Sequence, residues 1–191
     1  MNEIVNKDYK LTSIDRSTNL AKSLGLETWN MVLEHVKNLP YGRNSNREDF
    51  SLVLKEQKGS CSSKHAILKE LADLNEIPNV ELILGIYRMD AINTPQIGSV
   101  LIDNGLAYIP EAHCYLQIDN ERVDLTFKNS DIKNIETAII VEKIIQPQDV
   151  IDYKEKYHKT FIKNWLTDSD LPLNIEELWN IRERCIDNIT Q

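Results

Sequence analysis

The sequence contains few of the residues that separate a chain into independent parts. Glycine and proline each occur only six times in 191 residues, and neither forms a tract that would read as a linker. This argues against two domains joined by a flexible segment, and the chain is long enough to bury one sizeable core. We therefore expect a single domain spanning residues 1–191.

Long apolar runs are also missing. The first ten residues, MNEIVNKDYK, contain two acids and no apolar stretch, so they lack the pattern of a secretory signal. No later segment has enough consecutive apolar residues to cross a bilayer. We expect neither an export signal nor a membrane anchor.

Cysteine and positive charge are scarce as well. The three cysteines, Cys61, Cys114 and Cys185, are odd in number and far apart, which suits reduced thiols in the cytoplasm better than a disulfide framework. The 22 basic residues are outnumbered by 30 acidic ones, and the net charge of -8 repels phosphate backbones and anionic lipid. Nucleic acid and membrane partners are therefore not expected.

Hydrophobic periodicity predicts a chain of mixed helix and strand. The pattern predicts, in order, helices over 15–25, 26–39, 47–58 and 61–75, a strand over 80–87, a short helix between Thr94 and Gly105, strands over 112–118, 122–127 and 137–145, and helices over 149–166 and from 174 onward. The helix that follows the turn Gly59-Ser60 carries an apolar stripe of Ile67, Leu68 and Leu71. Cys61 is thereby expected in the first turn of a core helix.

This placement of Cys61 is the first feature with chemical meaning. Unpaired backbone amides and the helix dipole favour negative charge at a helix N-terminus, so a thiol there is converted more readily to the nucleophilic thiolate. The same amides can stabilise the oxyanion of a tetrahedral intermediate. Such a nucleophile still needs a base and a group that orients the base.

His113 and Asp124 can supply these two groups if one hairpin has the required register. With Asp119-Asn120 as a two-residue turn, Tyr115 pairs with Asp124, and His113 lies diagonally from Asp124 on the same face of the sheet. A three-residue loop without a bulge would put the two side chains on opposite faces. The prediction is conditional on the turn.

Together these residues resemble the transglutaminase-like core in its bacterial-type form. The resemblance covers roughly residues 40–127 and rests on order and local context. Its parts are Gly59-Ser60-Cys61 opening a helix with Ala66 and Leu68, a strand, His113 with Tyr115, and Asp124-Leu125-Thr126. Family members often have Trp at the position of Tyr115 and Pro at that of Leu125, and neither change removes a catalytic atom.

The resemblance implies a papain-like α+β fold in which the nucleophile helix packs on an antiparallel sheet, with a core at about 26–146 and extra C-terminal helices at about 147–191. It implies Cys61 as nucleophile, His113 as general base and acid, and Asp124 as the group that orients His113. The implied activity is acyl transfer from a peptide, protein or small amide substrate, without a metal or organic cofactor. Hydrolysis is preferred over transfer to an amine, because the sequence shows no identifiable amine-binding surface.

Two other interpretations stay open at this point. A transglutaminase-like scaffold without turnover could bind a protein or peptide through its C-terminal helices. A zinc-binding module could use Cys61, His65, His113 and Cys114, although neighbouring strand residues point to opposite faces and do not easily converge on one ion. The sequence leaves the oligomeric state open.

Single residues also have simpler interpretations. Gln57 and Tyr41 are candidate oxyanion donors, but a solvent-facing Gln at a helix end and a packing Tyr explain them more simply. His65 is expected to be an exposed or supporting helix residue. Cys114 and Cys185 are expected to be packing residues, and His35 and His158 to be structural or solvated. The tryptophans on helical apolar stripes are expected in the core and not as a substrate platform; they are Trp29, Trp165 and Trp179.

Overall fold

The computed structural model describes residues 7–189. Its helices are α1 (Arg16–Ser23), α2 (Trp29–Asn38), α3 (Leu52–Lys55), α4 (Cys61–Leu74), α5 (Lys133–Glu136), α6 (Tyr153–Thr167) and α7 (Ile175–Ile189). Its strands are β1 (Val80–Met89), β2 (Ile109–Ile118), β3 (Glu121–Val123) and β4 (Ile139–Ile145), and three short 3-10 helices cover Pro95–Ile97, Ile102–Asn104 and Pro147–Val150.

The fold class is α+β, as the sequence predicts. Over residues 7–189, seven α-helices accompany one four-stranded antiparallel sheet with the strand order β3-β2-β1-β4. Within the same residues, no helix is both long enough and apolar enough to cross a membrane.

The chain divides into two compact units. The first contains residues 7–84 together with Cys114–Asp131 and Lys143–Ile151. The second contains Gly85–His113, Ile132–Glu142 and residues 152–189, so α6 and α7 of the expected C-terminal extension belong to it, while residues 147–151 of that extension belong to the first. Three of the five boundaries fall inside β1, β2 and β4, and the other two lie after Asp131 and Ile151.

The core of the first unit is built around α4. This helix contacts α1, α2, α3 and the 3-10 helix Pro147–Val150. Its side chains are buried on several sides, and α2 adds the fully buried ring of Trp29. The members of α4 that carry no exposed surface include Ala66, Ile67, Leu68, Leu71 and Ala72. A helix held in this way is a rigid base for the residue at its first position.

The hairpin between β2 and β3 has the register that the sequence predicts. Asp119 and Asn120 both have positive φ, at 49° and 69°, as a two-residue type I′ turn requires. Ile118 is paired with Glu121, and the pairing continues to Leu116 with Val123. The turn condition on which the expected placement of His113 and Asp124 depends is therefore met.

The second strand of this hairpin is shorter than predicted. It ends at Val123 instead of residue 127, because the Asp124 carboxylate accepts hydrogen bonds from the backbone N–H and the hydroxyl of Thr126, at 2.9 and 2.6 Å. A side chain that pairs with the backbone two residues on offers the chain an alternative to the ladder. The expected pairing beyond Val123 does not form part of β3.

Two predicted helices are wrong in extent. The helix expected over 47–58 is reduced to α3, because the side chains of Asn46 and Asp49 accept the backbone N–H groups of Glu48 and Ser51 and hold turns there. The helix expected between Thr94 and Gly105 is replaced by two 3-10 helices. Gly98, with φ of 62°, ends the first of them.

The second unit packs α7 against α6 and against the 3-10 helix Pro95–Ile97. Asn174 and Glu177 form a capping box at the start of α7, since the Asn174 N–H donates to the Glu177 carboxylate at 2.8 Å and the Glu177 N–H donates to the Asn174 side chain at 3.0 Å. Leu178, Ile181 and Cys185 of α7 are buried. These contacts hold α7 in the core of its unit.

We expect Asn120→Ala to destabilise the protein by about 1 kcal/mol, because the left-handed conformation is more strained for alanine than for asparagine. Asn120→Gly is the matched control and should leave stability unchanged or slightly higher. Urea unfolding measures both variants. Equal stabilities for the two would show that the turn does not hold Asn120 in this conformation.

Candidate active site

Cys61 is the first residue of α4, where the sequence predicts it. The hydroxyl of Ser60 accepts a hydrogen bond from the N–H of Ser63 at 3.3 Å, and the N–H of Ser60 donates to the Ser63 hydroxyl at 2.9 Å. This reciprocal cap fixes where the fourteen-residue helix begins. Cys61 is 8% exposed, whereas Cys114 and Cys185 have no exposed surface.

The residues before Cys61 are held by a short parallel bridge between Tyr41 and Gly59. The Gly59 N–H donates to the carbonyl of Pro40, and the Gly42 N–H donates to that of Gly59, both at 3.2 Å. A Cβ at Gly59 would lie 2.8 Å from Cγ of Lys64, so no side chain fits there. Close packing against Lys64 therefore explains why the residue before Ser60 is a glycine.

The two candidate oxyanion donors have other contacts. The Gln57 amide donates to the carbonyl of Leu54 at the end of α3, and Gln57 itself is exposed. The Tyr41 ring stacks on Phe127, with ring centroids 5.2 Å apart and planes at 21°. Both side chains are thus engaged locally, and their oxyanion role stays a prediction.

Asp124 lies in the first unit, beside the helix that Cys61 opens. Its side chain is 10% exposed, and its Oδ1 lies 3.8 Å from Nε2 of His65 on α4. The same oxygen accepts both hydrogen bonds from Thr126. The structure therefore brings Asp124 to α4 and holds its carboxylate by the turn that ends β3.

His65 is buried, with no exposed surface, and it connects α4 to the residues after β3. Its Nε2 accepts a hydrogen bond from the N–H of Leu125 at 2.9 Å, so its Nδ1 carries the proton and donates to the carbonyl of Cys61 at 2.7 Å. Of the two positions predicted for it, the exposed one is wrong. The imidazole is a neutral bridge between the backbone of Cys61 and that of Leu125.

Lys64 is a residue of this region that the sequence reasoning missed. It has no exposed surface, and its ammonium group donates to the carbonyls of Leu39 and Thr126 at 2.6 and 2.7 Å. The signal was present, because residue 64 lies on the same helical stripe as Ile67, Leu68 and Leu71. A lysine at a core position indicates a special role.

His113 lies on β2, in the part of that strand that belongs to the second unit. It is half-buried, and its ring meets the ring of Tyr87 edge-on, with centroids 6.1 Å apart at 71°.

The same strand is anchored two residues earlier by Glu111. This carboxylate is 5% exposed and binds the guanidinium of Arg182 on α7 through two hydrogen bonds, one of 2.8 Å between Arg182 Nε and Oε2. His158 on α6 is 2% exposed, contacts the carbonyl of Pro110 at 2.8 Å and lies 3.8 Å from Glu111. α6 and α7 thus hold the strand that carries His113.

The charges in this cluster support one another. Burial alone would raise the pKa of Glu111, but the neighbouring charges of Arg182 and His158 outweigh burial and lower that pKa to about 2. Burial lowers the pKa of His158, and it raises the pKa of the Cys185 thiol to about 11. Glu111 is ionised at neutral pH, and Cys185 is protonated.

The tryptophans divide between core and surface. Trp29 is fully buried, as predicted, but Trp165 and Trp179 are only half-buried, so their assignment to the core is wrong. Trp165 donates to the Tyr108 hydroxyl at 2.9 Å inside a cleft of 570 Å³, and Trp179 lines a second one of 390 Å³. The helical apolar pattern does not distinguish a half-buried ring from a fully buried one.

No group of three or more histidine, cysteine, aspartate or glutamate side chains is positioned to hold a metal ion between residues 7 and 189. The zinc alternative therefore has no ligand set in the part of the chain that the structure describes.

No protein-family model, curated protein or solved structure matches this chain.

We expect Arg182→Met to destabilise the protein by roughly 3–5 kcal/mol at pH 7, because it leaves the buried Glu111 carboxylate without its partner. Glu111→Gln in the same background should restore a large part of the loss. Glu183→Gln is the control, since Glu183 contacts the same guanidinium at 2.7 Å from a more exposed position. Urea unfolding at pH 7 compares the four proteins, and a loss under 1 kcal/mol for Arg182→Met would show that the pair is not structural.

The same pair predicts a loss of stability in acid. The pKa of Glu111 is about 2 in the folded protein and 4.5 for an ordinary glutamate. Its stabilising contribution is therefore complete above the unfolded value and is lost as the pH falls from about 4.5 towards 2. Unfolding free energy measured across this window should fall less steeply for Glu111→Gln than for the wild type. Parallel curves would contradict the assignment.

Proposed function

We propose that this protein is a cysteine-dependent acyl-transfer enzyme with a transglutaminase-like, papain-like core, in which Cys61, His113 and Asp124 act together. The observation that carries the proposal is the position of Cys61 as the first residue of a buried helix. The carbonyl of this residue is joined through His65 to the segment that holds Asp124. A thiol in that position meets the physical requirement for a nucleophile.

In the proposed first step, the Cys61 thiolate forms a bond to the carbonyl carbon of an amide, and the π electrons of the C=O bond move to its oxygen. Backbone N–H groups in the first turn of α4 are the donors for this oxyanion. The C–N bond then breaks, the amine leaves with a proton from the His113 imidazolium, and a thioester remains on Cys61.

In the second step, His113 takes a proton from water while the water oxygen attacks the thioester carbon. The C–S bond breaks, a carboxylic acid is released, and the thiolate is restored. Asp124 orients the His113 ring in both steps. The substrate class is a peptide, protein or small amide, and the chemistry needs no metal or organic cofactor.

Hydrolysis is the preferred outcome of the second step. Transfer to an amine follows the same route with the amine nitrogen in place of water, so the proposed residues serve both reactions. Transfer would additionally require a surface that binds the amine. The choice therefore depends on the acceptor and not on the three proposed residues.

We expect iodoacetamide to modify Cys61 first in the folded protein, with an apparent pKa below that of a free thiol, because a helix N-terminus favours the thiolate. Cys185 is the internal control, since it is fully buried and its thiol has a pKa of about 11. Peptide mass spectrometry across a pH series follows the cysteines separately. Equal, slow modification of all three would favour a scaffold that binds without turnover.

A peptide and amide library tests the reaction itself. Cys61→Ala should abolish turnover, because it removes the nucleophile. His113→Asn and Asp124→Asn should lower kcat by at least about a hundredfold, because the first removes the group that transfers the proton and the second removes the group that orients it. Cys114→Ala is the control and should retain activity, because Cys114 is the buried residue next to His113 in the chain and has no proposed role. Turnover that survives in Cys61→Ala would overturn the proposal.

A further inference from the structure

Lys64 is the most unusual residue in the neighbourhood of Cys61. The Lys64 side chain has no surface exposed to water. A buried ammonium group is tolerated only where fixed hydrogen-bond partners replace the solvent. Here the partners are two backbone carbonyls, those of Leu39 and Thr126. Neither is a counter-ion, so the charge itself is balanced by groups farther away.

The charged and titratable groups that face Lys64 belong to the proposed site. Cys61 and Lys64 lie three residues apart on α4, on the same face of the helix, and both Asp124 and Cys61 favour the protonated form of Lys64. Burial acts in the opposite sense and dominates, so the pKa of Lys64 falls from 10.5 to about 8. The ammonium form still prevails at neutral pH.

Lys64 also forms half of a two-point attachment. It binds the carbonyl of Thr126, while its neighbour His65 binds the N–H of Leu125. Thr126 in turn donates both its N–H and its hydroxyl to the Asp124 carboxylate. Consecutive residues of α4 therefore fix the segment that carries Asp124.

The absence of a side chain at Gly59 leaves space for the side chain of Lys64. Gly59 lies so close to the stem of Lys64 that a Cβ there would approach Cγ to 2.8 Å. The glycine directly before the cap of α4 thus allows the lysine to pass inward beneath the first turn. A bulkier residue at 59 would displace the ammonium group from its two carbonyls.

We propose that Lys64 is a positioning residue of the candidate site, whose buried ammonium group fixes the Asp124 segment on α4 and stabilises the thiolate of Cys61. The proposal rests on the proposed function, because it assigns Cys61 the nucleophile's role. A cation near the thiolate lowers the free energy of the reactive form without touching the substrate.

Lys64→Met removes the charge and keeps the length of the side chain. The apparent pKa of Cys61, read from the pH profile of iodoacetamide alkylation, should rise by about one unit, and the rate at pH 7 should fall about tenfold. Lys69→Met is the matched control on the same helix, since Lys69 is also buried but binds Asp73 and the carbonyl of Val80. A purely structural lysine would leave the pH profile of Cys61 unchanged, and that result would overturn the proposal.

A second measurement keeps the test decisive if Lys64→Met does not fold. Coupling between two groups is reciprocal, so Cys61→Ala should lower the pKa of the Lys64 ammonium in an NMR titration of the lysine side chains. Lys69 serves again as the control within the same spectrum. An unchanged Lys64 titration in Cys61→Ala would refute the coupling.

Neither measurement requires turnover, so the two proposals fail separately. If both pKa values shift as expected but no amide is hydrolysed, the proposed enzyme function is wrong and the coupling between Lys64 and Cys61 stands. Hydrolysis that depends on Cys61 with neither shift would remove the role of Lys64 alone.

Discussion

The carbonyl of Cys61, the ring of His65 and the amide of Leu125 form the hydrogen-bonded chain on which the first unit's part of the candidate site depends. Both ring nitrogens are used, so the imidazole has one permitted protonation state and one permitted orientation. Because His65 is fully buried, water cannot replace either contact. The start of α4 and the residues after β3 are therefore fixed relative to each other by a rigid, neutral side chain.

The second unit uses a different kind of interaction for a similar purpose. Its strand before His113 is held by a buried ion pair between Glu111 and Arg182, with His158 beside it. Removing one partner from such a buried pair destabilises the folded protein strongly, and the two hydrogen bonds between the side chains fix the direction of the guanidinium. The C-terminal helices α6 and α7 thus hold the part of β2 that carries His113.

Sequence reasoning succeeded where a local pattern decides the structure. The stripe of Ile67, Leu68 and Leu71 and the turn at Gly59 predicted α4 and the position of Cys61, and Asp119-Asn120 predicted the register of the hairpin. It failed where side chains compete with the backbone, as Asn46 and Asp49 do before α3 and Asp124 does after β3. It also missed Lys64, although residue 64 lies on the apolar stripe of α4, and it missed the burial of His65, whose second partner, the N–H of Leu125, lies 60 residues away in the chain.

The most direct test of the central claim is to detect the acyl-enzyme itself. Intact-protein mass spectrometry after mixing with a p-nitrophenyl ester should show one added acyl group, and peptide mapping should place this group on Cys61. The acyl group should be lost more slowly from His113→Asn than from the wild type. No adduct on Cys61 in the folded protein, or an adduct that forms and decays at the same rates in His113→Asn, would contradict the account.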